Sequence, residues 1–212
     1  MTPEDFAREI GVSRETLGRF ERYAALLRDW NRAINLVGAG SLDDLWRRHM
    51  LDSAQLLAHL PPVRADHDRV LVDLGSGAGF PGLVLALLGA GAVHLVEADQ
   101  RKAAFLREAA RQLDLAVEIH ARRIEDMSPL PADVVTARAC APLPKLLGYA
   151  AGFPRVHGRR PVCLFLKGKR ADEELTAARR EWNMAVEHFP SRSDSNGRIL
   201  RIGLIGRDTT KC

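Results

Sequence analysis

The chain has 212 residues, of which 46% are hydrophobic and 27% charged, and its 31 lysines and arginines against 27 acidic residues give a formal charge of +4. This composition excludes wholesale disorder and suffices for one medium-sized domain with a substantial apolar core. Three widely spaced cysteines argue against a disulfide framework or a structural metal site, and the longest uncharged stretch, residues 74–96, is too rich in glycine for a membrane span.

Helical patterns fill the first 62 residues. The start, Thr2-Pro3-Glu4-Asp5, combines a capping residue, a proline suited to the first turn and two early acids. It lacks the basic and apolar parts of a secretory signal, which favours the cytoplasm. The predicted helices cover residues 2–11, 13–34 and 41–60. We therefore expect a helical extension, residues 1–62, packed on a main domain formed by residues 63–212.

From residue 69 onward, short apolar runs alternate with helical stretches. The runs cover residues 70–73, 93–97, 117–120, 133–136 and 162–166. Continuous apolar strands separated by helices predict a doubly wound α/β fold with a mostly parallel sheet. A charged helical segment, about 170–182, then precedes two closely spaced strand patterns, 184–189 and 199–205. Their short polar linker predicts an antiparallel hairpin at the C-terminal end.

A glycine loop follows the first strand. Gly75, Gly77 and Gly79 alternate with other residues just before a predicted helix, where bare backbone can approach a partly anionic ligand. A dinucleotide fingerprint would place a third glycine where Phe80 stands. The spacing favours S-adenosylmethionine (AdoMet), while NAD and a simple tight turn stay open as alternatives.

Acidic residues after the next two strands are candidates for nucleoside binding. Glu97 ends the second strand, where a carboxylate can accept both ribose hydroxyls, although this arrangement serves NAD equally well. Asp99 competes for that role but is better suited to capping the next helix. Ile124 and Glu125 follow the third strand, where an adenine edge would lie; the alternative is an ordinary helix start.

Seven segments, in order along nearly the whole chain, together resemble the bacterial small-subunit rRNA guanine-N7 methyltransferases of the RsmG (GidB) family. They are Trp30-Asn31-x-x-Ile34-Asn35-Leu36, Arg48-His49-x-x-Asp52-Ser53, Asp73 to Gly82, Glu97-x-x-x-Arg101-Lys102-x-x-Phe105-Leu106, Arg123-Ile124-Glu125, Arg138-Ala139-x-Ala141-x-Leu143 and Leu166-Lys167-Gly168. The chain departs from the family pattern at Val37, where members usually carry threonine, and at Cys140 and Pro142.

The resemblance implies a class I, Rossmann-like methyltransferase that moves a methyl group from AdoMet to N7 of guanine 527 of 16S rRNA, in standard numbering. It places AdoMet against Gly75, Phe80, Ile124, Glu125 and Arg138. The loop and ribose arguments add Gly77 and Glu97 to these cofactor-binding candidates.

The implied chemistry requires no general base, because guanine N7 carries a free lone pair at neutral pH. The sequence accordingly indicates no catalytic residue. Arg138 ends the fourth strand, where doubly wound folds expose working residues, so it is expected to hold the cofactor carboxylate or a substrate phosphate; a surface ion pair is the alternative. Phe80 is expected either to face the sulfonium or to pack beneath the loop.

Five residues are candidate RNA contacts: Arg47, Arg48, His49, Asp52 and Lys167. A structural role for His49 and simple solvation of the charged groups are the alternatives. The expected partner is 16S rRNA or the small ribosomal subunit, with no metal, no membrane and a monomeric enzyme. Rival hypotheses are an AdoMet methyltransferase of small molecules or another RNA, an NAD-dependent oxidoreductase and a non-catalytic RNA-binding module.

Overall fold

The computed structural model describes residues 1–63, 68–128, 130–156 and 158–207. Cys212 lies outside the described residues. The helices are α1 (Pro3–Ile10), α2 (Arg14–Asn31), α3 (46–59), α4 (Gly82–Leu87), α5 (Gln100–Gln112), α6 (Leu143–Ala151) and α7 (Ala171–Ala178). The strands are β1 (Val70–Leu74), β2 (Ala92–Val96), β3 (Val117–His120), β4 (Val134–Arg138), β5 (Val162–Lys167), β6 (Trp182–Pro190) and β7 (Arg198–Arg207).

The seven strands form one sheet in the order β3-β2-β1-β4-β5-β7-β6. The first five are parallel, and β7 runs antiparallel to both β5 and β6. The predicted fold class, including the C-terminal hairpin, is confirmed. The strand order reverses between β1 and β4, and in such sheets ligands bind outside the carboxyl ends of the strands at this point.

The two faces of the sheet pack against different elements. Alternation along β1 sends Leu71 to a core shared with α2, α4 and α5, and Val72 to a second core shared with α6 and α7. Phe6, Phe20 and Tyr23 of the N-terminal helices are fully buried in the first core. The helices therefore bury their apolar stripes against the sheet layer. The boundary between residues 62 and 63 stays a prediction.

Two helix boundaries in the N-terminal region differ from the predicted ones. The α2 helix ends at Asn31 rather than near residue 34, because the Asn31 side chain accepts the backbone N–H groups of Leu36 and Val37, both at 2.9 Å, and so turns the chain. The predicted third helix does not begin at Ser41. That hydroxyl donates to the Gly38 carbonyl at 2.6 Å instead of capping a helix.

Helix α3 changes its winding along its length. It begins with a π-helical segment, Trp46–Leu51, continues as α-helix over Asp52–Ala54 and ends as a 3-10 helix over Gln55–His59. Short π-helical segments are rare and often mark functional sites. Among the described residues, no helix is long and apolar enough to cross a membrane.

Candidate functional site at the carboxyl ends of the strands

A cleft of about 1230 Å³ opens at the carboxyl ends of β1, β4 and β5. Its walls are the glycine loop after β1, the residues after β4 and β5, helix α3 and the β6–β7 loop. Pockets for one small ligand usually measure about 300–1,000 Å³. The cleft therefore has room for a cofactor together with part of a second molecule.

The glycine loop presents bare backbone to this cleft. Gly75, Gly77 and Gly79 have φ angles of +65°, +56° and +89°, a region that other residues rarely adopt. A Cβ atom on Gly75 would lie 2.5 Å from the Cys140 sulfur. The loop closes on itself where Gly79 N–H donates to the Ser76 carbonyl at 2.7 Å.

Asp73 holds the loop from below. Its carboxylate is fully buried and accepts the Gly82 N–H at 3.1 Å and the Thr136 hydroxyl at 2.8 Å. Burial raises the pKa of Asp73 to about 6. Because these bonds join β1, β4 and the start of α4, the aspartate fixes the geometry of the switch point and does not itself face the cleft.

Glu97 supports the loop from the side. Its carboxylate accepts the backbone N–H groups of Gly77 and Asp99, both at 2.8 Å, and the residue is only 9% exposed. Asp99 caps α5 by accepting the N–H groups of Arg101 and Lys102, as its sequence position predicted. The structure thus gives Glu97 a loop-holding role, and the ribose contact stays a prediction.

Ile124 and Glu125 are not among the residues that line the cleft. They form a 3-10 turn after β3, and the Glu125 carboxylate accepts the Tyr149 hydroxyl and pairs with Lys145 at 3.5 Å. The hydrogen bond from Tyr149 lowers the pKa of Glu125. Their contact with adenine stays a prediction.

Arg138 joins the sheet to helix α3. Its guanidinium donates to the Arg48 carbonyl at 3.0 Å and to His49 Nδ1 at 2.8 Å, and it pairs with Asp52 at 3.4 Å. It also lies 4.8 Å from the centre of the Phe80 ring, a cation–π contact. The side chain is 18% exposed. It is therefore tied to α3 while still lining the cleft.

The contacts of His49 assign its tautomer. A guanidinium can only donate, so His49 Nδ1 accepts from Arg138 and the ring proton lies on Nε2. Nε2 then donates to the Ser41 hydroxyl at 2.8 Å. Burial, with the charges of Arg138 and Arg48, lowers the pKa of His49 to about 3. The ring is neutral at physiological pH.

The β6–β7 loop completes the cleft through contacts that no sequence pattern indicated. Asp52 accepts hydrogen bonds from Gln55 at 3.0 Å and from the Ser193 hydroxyl. Gln55 donates to the Ser191 hydroxyl at 3.1 Å and accepts the Arg192 N–H at 2.8 Å. Asp52 thus connects the Arg138 junction to a loop about 140 residues away in sequence.

Known proteins are similar in sequence to this chain over nearly its whole length. The sequence profile of the GidB family, described as rRNA small subunit methyltransferase G, matches residues 16–198. The chain is 58% identical to ribosomal RNA small subunit methyltransferase G of Rhodospirillum rubrum, over 98% of this chain and 100% of that protein. It is 57% identical to the protein of that name from Rhodospirillum centenum, over 95% and 90%. The chain belongs to this family.

One solved structure shows the fold shared with a distant methyltransferase. The 16S rRNA N2 G1207 methyltransferase of T. Thermophilus, in complex with AdoMet and guanosine, matches with a TM-score of 0.51 and 15% identity over 72% of this chain and 38% of that one. At this identity the likeness establishes the fold alone. Together with membership of the GidB family, it confirms the predicted family, the class I fold and the AdoMet-dependent methyltransferase class.

The residues of this GidB protein fit AdoMet on their own geometry. Gly75 and Gly77 lie in the wall with left-handed backbone and leave the loop surface free of side chains. Phe80 and Arg138 stand beside them in the same cleft. AdoMet supplies an electrophilic methyl group on a sulfonium. The glycine loop can approach it closely, because its surface carries no side chains at Gly75 and Gly77.

Phe80 packs beneath the loop, one of the two roles that the sequence left open. Its ring stacks on His49 at 4.9 Å and lies 5.4 Å from Tyr23, so only 3% of the residue is exposed. It also lines the cleft. The ring therefore packs beneath the loop, and its contact with the sulfonium stays a prediction.

Two of the predicted RNA contacts of this GidB protein are placed unfavourably for that role. Lys167 lines the cleft, but its ammonium binds the Ala141 carbonyl and Glu174, both at 2.8 Å, and its side chain is only 7% exposed. Arg47 points away from the cleft and lies 3.9 Å from Asp44 beside the N-terminus. The sequence could not separate these from Arg48, which is exposed and lines the cleft.

Proposed function

We propose that this protein transfers the methyl group of AdoMet to N7 of guanine 527 of 16S rRNA, acting as a monomer on the small ribosomal subunit in the cytoplasm. The observation that carries the proposal is one cleft with two different walls. The glycine loop forms one wall, and the junction of Arg138, His49 and Asp52 forms the other. Membership of the rRNA small subunit methyltransferase G family supports the choice of substrate.

Gly75, Gly77, Phe80 and Arg138 form the inner part of the cofactor site in this proposal. Glu97 supports it by holding the Gly77 amide, and Ile124 with Glu125 would close its outer margin. The positive charge of Arg138 is matched to the carboxylate of AdoMet. His49 is neutral, so it adds no competing charge to this contact.

The reaction needs alignment more than acid–base catalysis. AdoMet held by the glycine loop and Arg138 would supply an electrophilic methyl group with its sulfur as the leaving group, and the free N7 lone pair of guanine could accept that group without losing a proton. No proton is transferred in this step. Holding the nucleophile in line with the methyl group can contribute roughly 7–11 kcal/mol in favourable models. We assign this alignment to the rigid walls of the cleft.

The RNA would enter along the wall opposite the glycine loop. Arg48 is exposed there, beside the predicted contacts His49 and Asp52. Lys169 and Arg170, which no sequence pattern indicated, are also exposed and line the cleft. Such groups can neutralise phosphates and release counterions on binding, so affinity for RNA should fall as salt rises.

Methylation of defined substrates tests the proposal. Small ribosomal subunits that lack the modification, matched modified subunits and naked 16S rRNA are each incubated with methyl-labelled AdoMet, and the labelled nucleotide is mapped. We expect one label per unmodified subunit, at N7 of guanine 527, and none on the modified subunits. Label at another base, or binding without methyl transfer, would overturn the assignment.

The pH dependence of single-turnover methylation tests the absence of a general base. Burial lowers the pKa of His49 to about 3 and raises that of Asp73 to about 6, so neither group changes its charge above neutral pH. We expect the rate constant to be constant between about pH 7 and 9. A bell-shaped profile in that range would show that a titrating group takes part.

A further inference from the structure

A cluster of three metal-ligand side chains lies outside the cleft, on strands β2 and β3. His94 of β2 is aligned with Glu118 of β3, and His120 lies two residues further along β3 on the same face. The closest nitrogen atoms of the two histidines, His94 Nδ1 and His120 Nε2, are 3.1 Å apart. Glu118 oxygens lie 3.3 Å from His94 Nδ1 and 3.6 Å from His120 Nε2.

These separations are close to the distances between neighbouring ligands of a zinc ion. Zinc binds histidine nitrogen and carboxylate oxygen at about 2.0–2.2 Å, which places neighbouring ligand atoms about 3.3–3.5 Å apart. The two histidine nitrogens are 3.1 Å apart, and each lies 3.3–3.6 Å from a different oxygen of Glu118. With one oxygen taken from Glu118, the three ligand atoms lie within 4.8 Å of one another, so rotation of this exposed carboxylate would bring one oxygen to the spacing that zinc requires. Two histidines and one carboxylate are also a ligand set that zinc uses with a water molecule in the fourth position.

The surroundings leave the cluster accessible from one side. His94 and His120 are 19% and 14% exposed, whereas Glu118 is 64% exposed. Strand β3 is the edge of the sheet. In the described part of the β3–β4 connection, residues 121–128 and 130–133, the only helical element is the short turn Ile124–Asp126. The histidines are therefore fixed by packing, while a fourth ligand can approach from solvent.

The cluster interrupts an apolar face of the sheet. His94 is aligned with Val72 of β1, which is buried in the core formed with α6 and α7. Toward the edge of the sheet, the same row of aligned positions holds His94 of β2 and then Glu118 of β3. Polar side chains are usual at an exposed sheet edge, so the convergence of three ligating groups, rather than their polarity, distinguishes this position.

We propose that His94, Glu118 and His120 bind one zinc ion, with water as the fourth ligand. The sequence predicted no metal, because the ligands are spread over two strands and contain no cysteine. The site is separate from methyl transfer but connected to it structurally, since the His120 carbonyl accepts the Glu97 N–H at 3.1 Å.

Zinc titration of the full-length, tag-free protein tests the proposal. Isothermal calorimetry after removal of metals by chelation is expected to give one zinc ion per chain. The variants His94→Asn and His120→Gln keep a polar atom near each ligating nitrogen but replace it with a poor ligand. We expect each to weaken zinc binding at least tenfold, and the exposed Glu118→Gln variant about tenfold. His188→Asn, on exposed β6, is the matched control and should bind zinc as the wild type does.

Two further measurements distinguish this site from loss of the fold and from zinc binding by cysteine. AdoMet affinity of each variant reports whether the fold is intact, and it should stay within about threefold of the wild type. Cobalt(II) in place of zinc should give the visible bands of a tetrahedral ion without a thiolate charge-transfer band. The proposal is overturned by less than threefold weakening in the histidine variants, by a thiolate band, or by the absence of saturable zinc binding in the folded wild type.

Discussion

The two walls of the cleft are built in different ways. The glycine loop is a backbone structure, in which a few φ angles and buried supports such as Asp73 decide the shape. The opposite wall is a network of side chains from β4, α3 and the β6–β7 loop, centred on Arg138 and Asp52. Added side-chain atoms are therefore expected to disturb the glycine-loop wall. Loss of a hydrogen-bond or ion-pair partner is expected to disturb the side-chain wall. The difference decides which substitutions should harm which function.

The largest effect is expected from Gly79→Ala, which breaks the backbone wall. The new Cβ would lie 2.4 Å from a Leu83 methyl group and 2.7 Å from the Tyr23 hydroxyl, at a φ of +89°. Strain and overpacking together should lower the free energy of unfolding by about 3 kcal/mol or more, with loss of AdoMet binding. Urea denaturation and calorimetry measure the two effects.

Gly77→Ala is the control for that variant. Its Cβ would have only the Gly75 carbonyl within 4 Å, at 3.8 Å, so it retains the φ strain without the collision. A cost of about 1 kcal/mol is expected. Equal losses of stability in the two variants would mean that collision does not decide the tolerance of this wall.

Arg138→Ala breaks the side-chain wall. It leaves Asp52, 16% exposed, without its cation and removes the donor to His49. We expect the free energy of unfolding to fall by about 2–3 kcal/mol and methylation to fall at least tenfold. A double-mutant cycle with Asp52→Asn measures the coupling by urea denaturation. Strict additivity of the two single variants would show that the pair is not a unit.

The variants Lys167→Met and Arg48→Met compare two basic residues that line the cleft. The Lys167 ammonium is bound to Glu174, so its loss should lower stability by about 2 kcal/mol and leave the salt dependence of RNA binding unchanged. Arg48 is exposed, so its loss should reduce the slope of log affinity against log salt by about 1 and hardly affect folding. The reverse pattern would make Lys167 the phosphate contact.

A pH-dependent effect is expected from the buried His49. Burial and the nearby guanidinium groups lower its pKa from 6.5 to about 3. Between these values the unfolded chain binds the extra proton, so this residue makes stability fall as pH drops below 6.5, by up to about 1.4 kcal/mol per pH unit. Asp73 acts in the opposite direction. Its pKa is raised from 3.8 to about 6, so the folded state binds the proton first and stability rises as pH falls through that range.

The variant His49→Gln removes only the first of these contributions. Its free energy of unfolding should therefore approach, or exceed, that of the wild type as pH is lowered from 7 to 4.5, even if it is less stable at pH 7. Urea denaturation across this range measures the difference. A constant difference at all pH values would show that His49 titrates normally in the folded protein.

The sequence predicted the backbone wall better than the side-chain wall. Alternating glycines after an apolar strand, and the cap at Asp99, are local signals, and the structure places them as expected. The side-chain wall depends on contacts such as Asp52 with Ser193, which no local pattern encodes. The predicted start of the third helix at Ser41 was wrong for the same reason. Ser41 bonds to the Gly38 carbonyl and to His49 rather than capping a helix.

Burial explains the misplacement of the charged candidates. Lys167, Arg47 and Arg48 are all basic residues near the ends of predicted elements, and composition alone treats them alike. Their surroundings differ: one ammonium is paired inside the protein, one guanidinium faces the N-terminus and one faces the cleft. Such distinctions follow from tertiary packing, which sequence periodicity does not report.

The ion pair between Glu9 of α1 and Arg192 of the β6–β7 loop, at 2.8 Å, brings the beginning and the end of the chain together. During synthesis, the first helices leave the ribosome long before their last partners are made. The α1 and α3 segments must therefore wait for residues near 192 before the RNA-facing surface is complete. Because Ile199 and Leu200 of β7 belong to the two cores of the sheet, the cleft and this surface are completed together, only after the last strand is made.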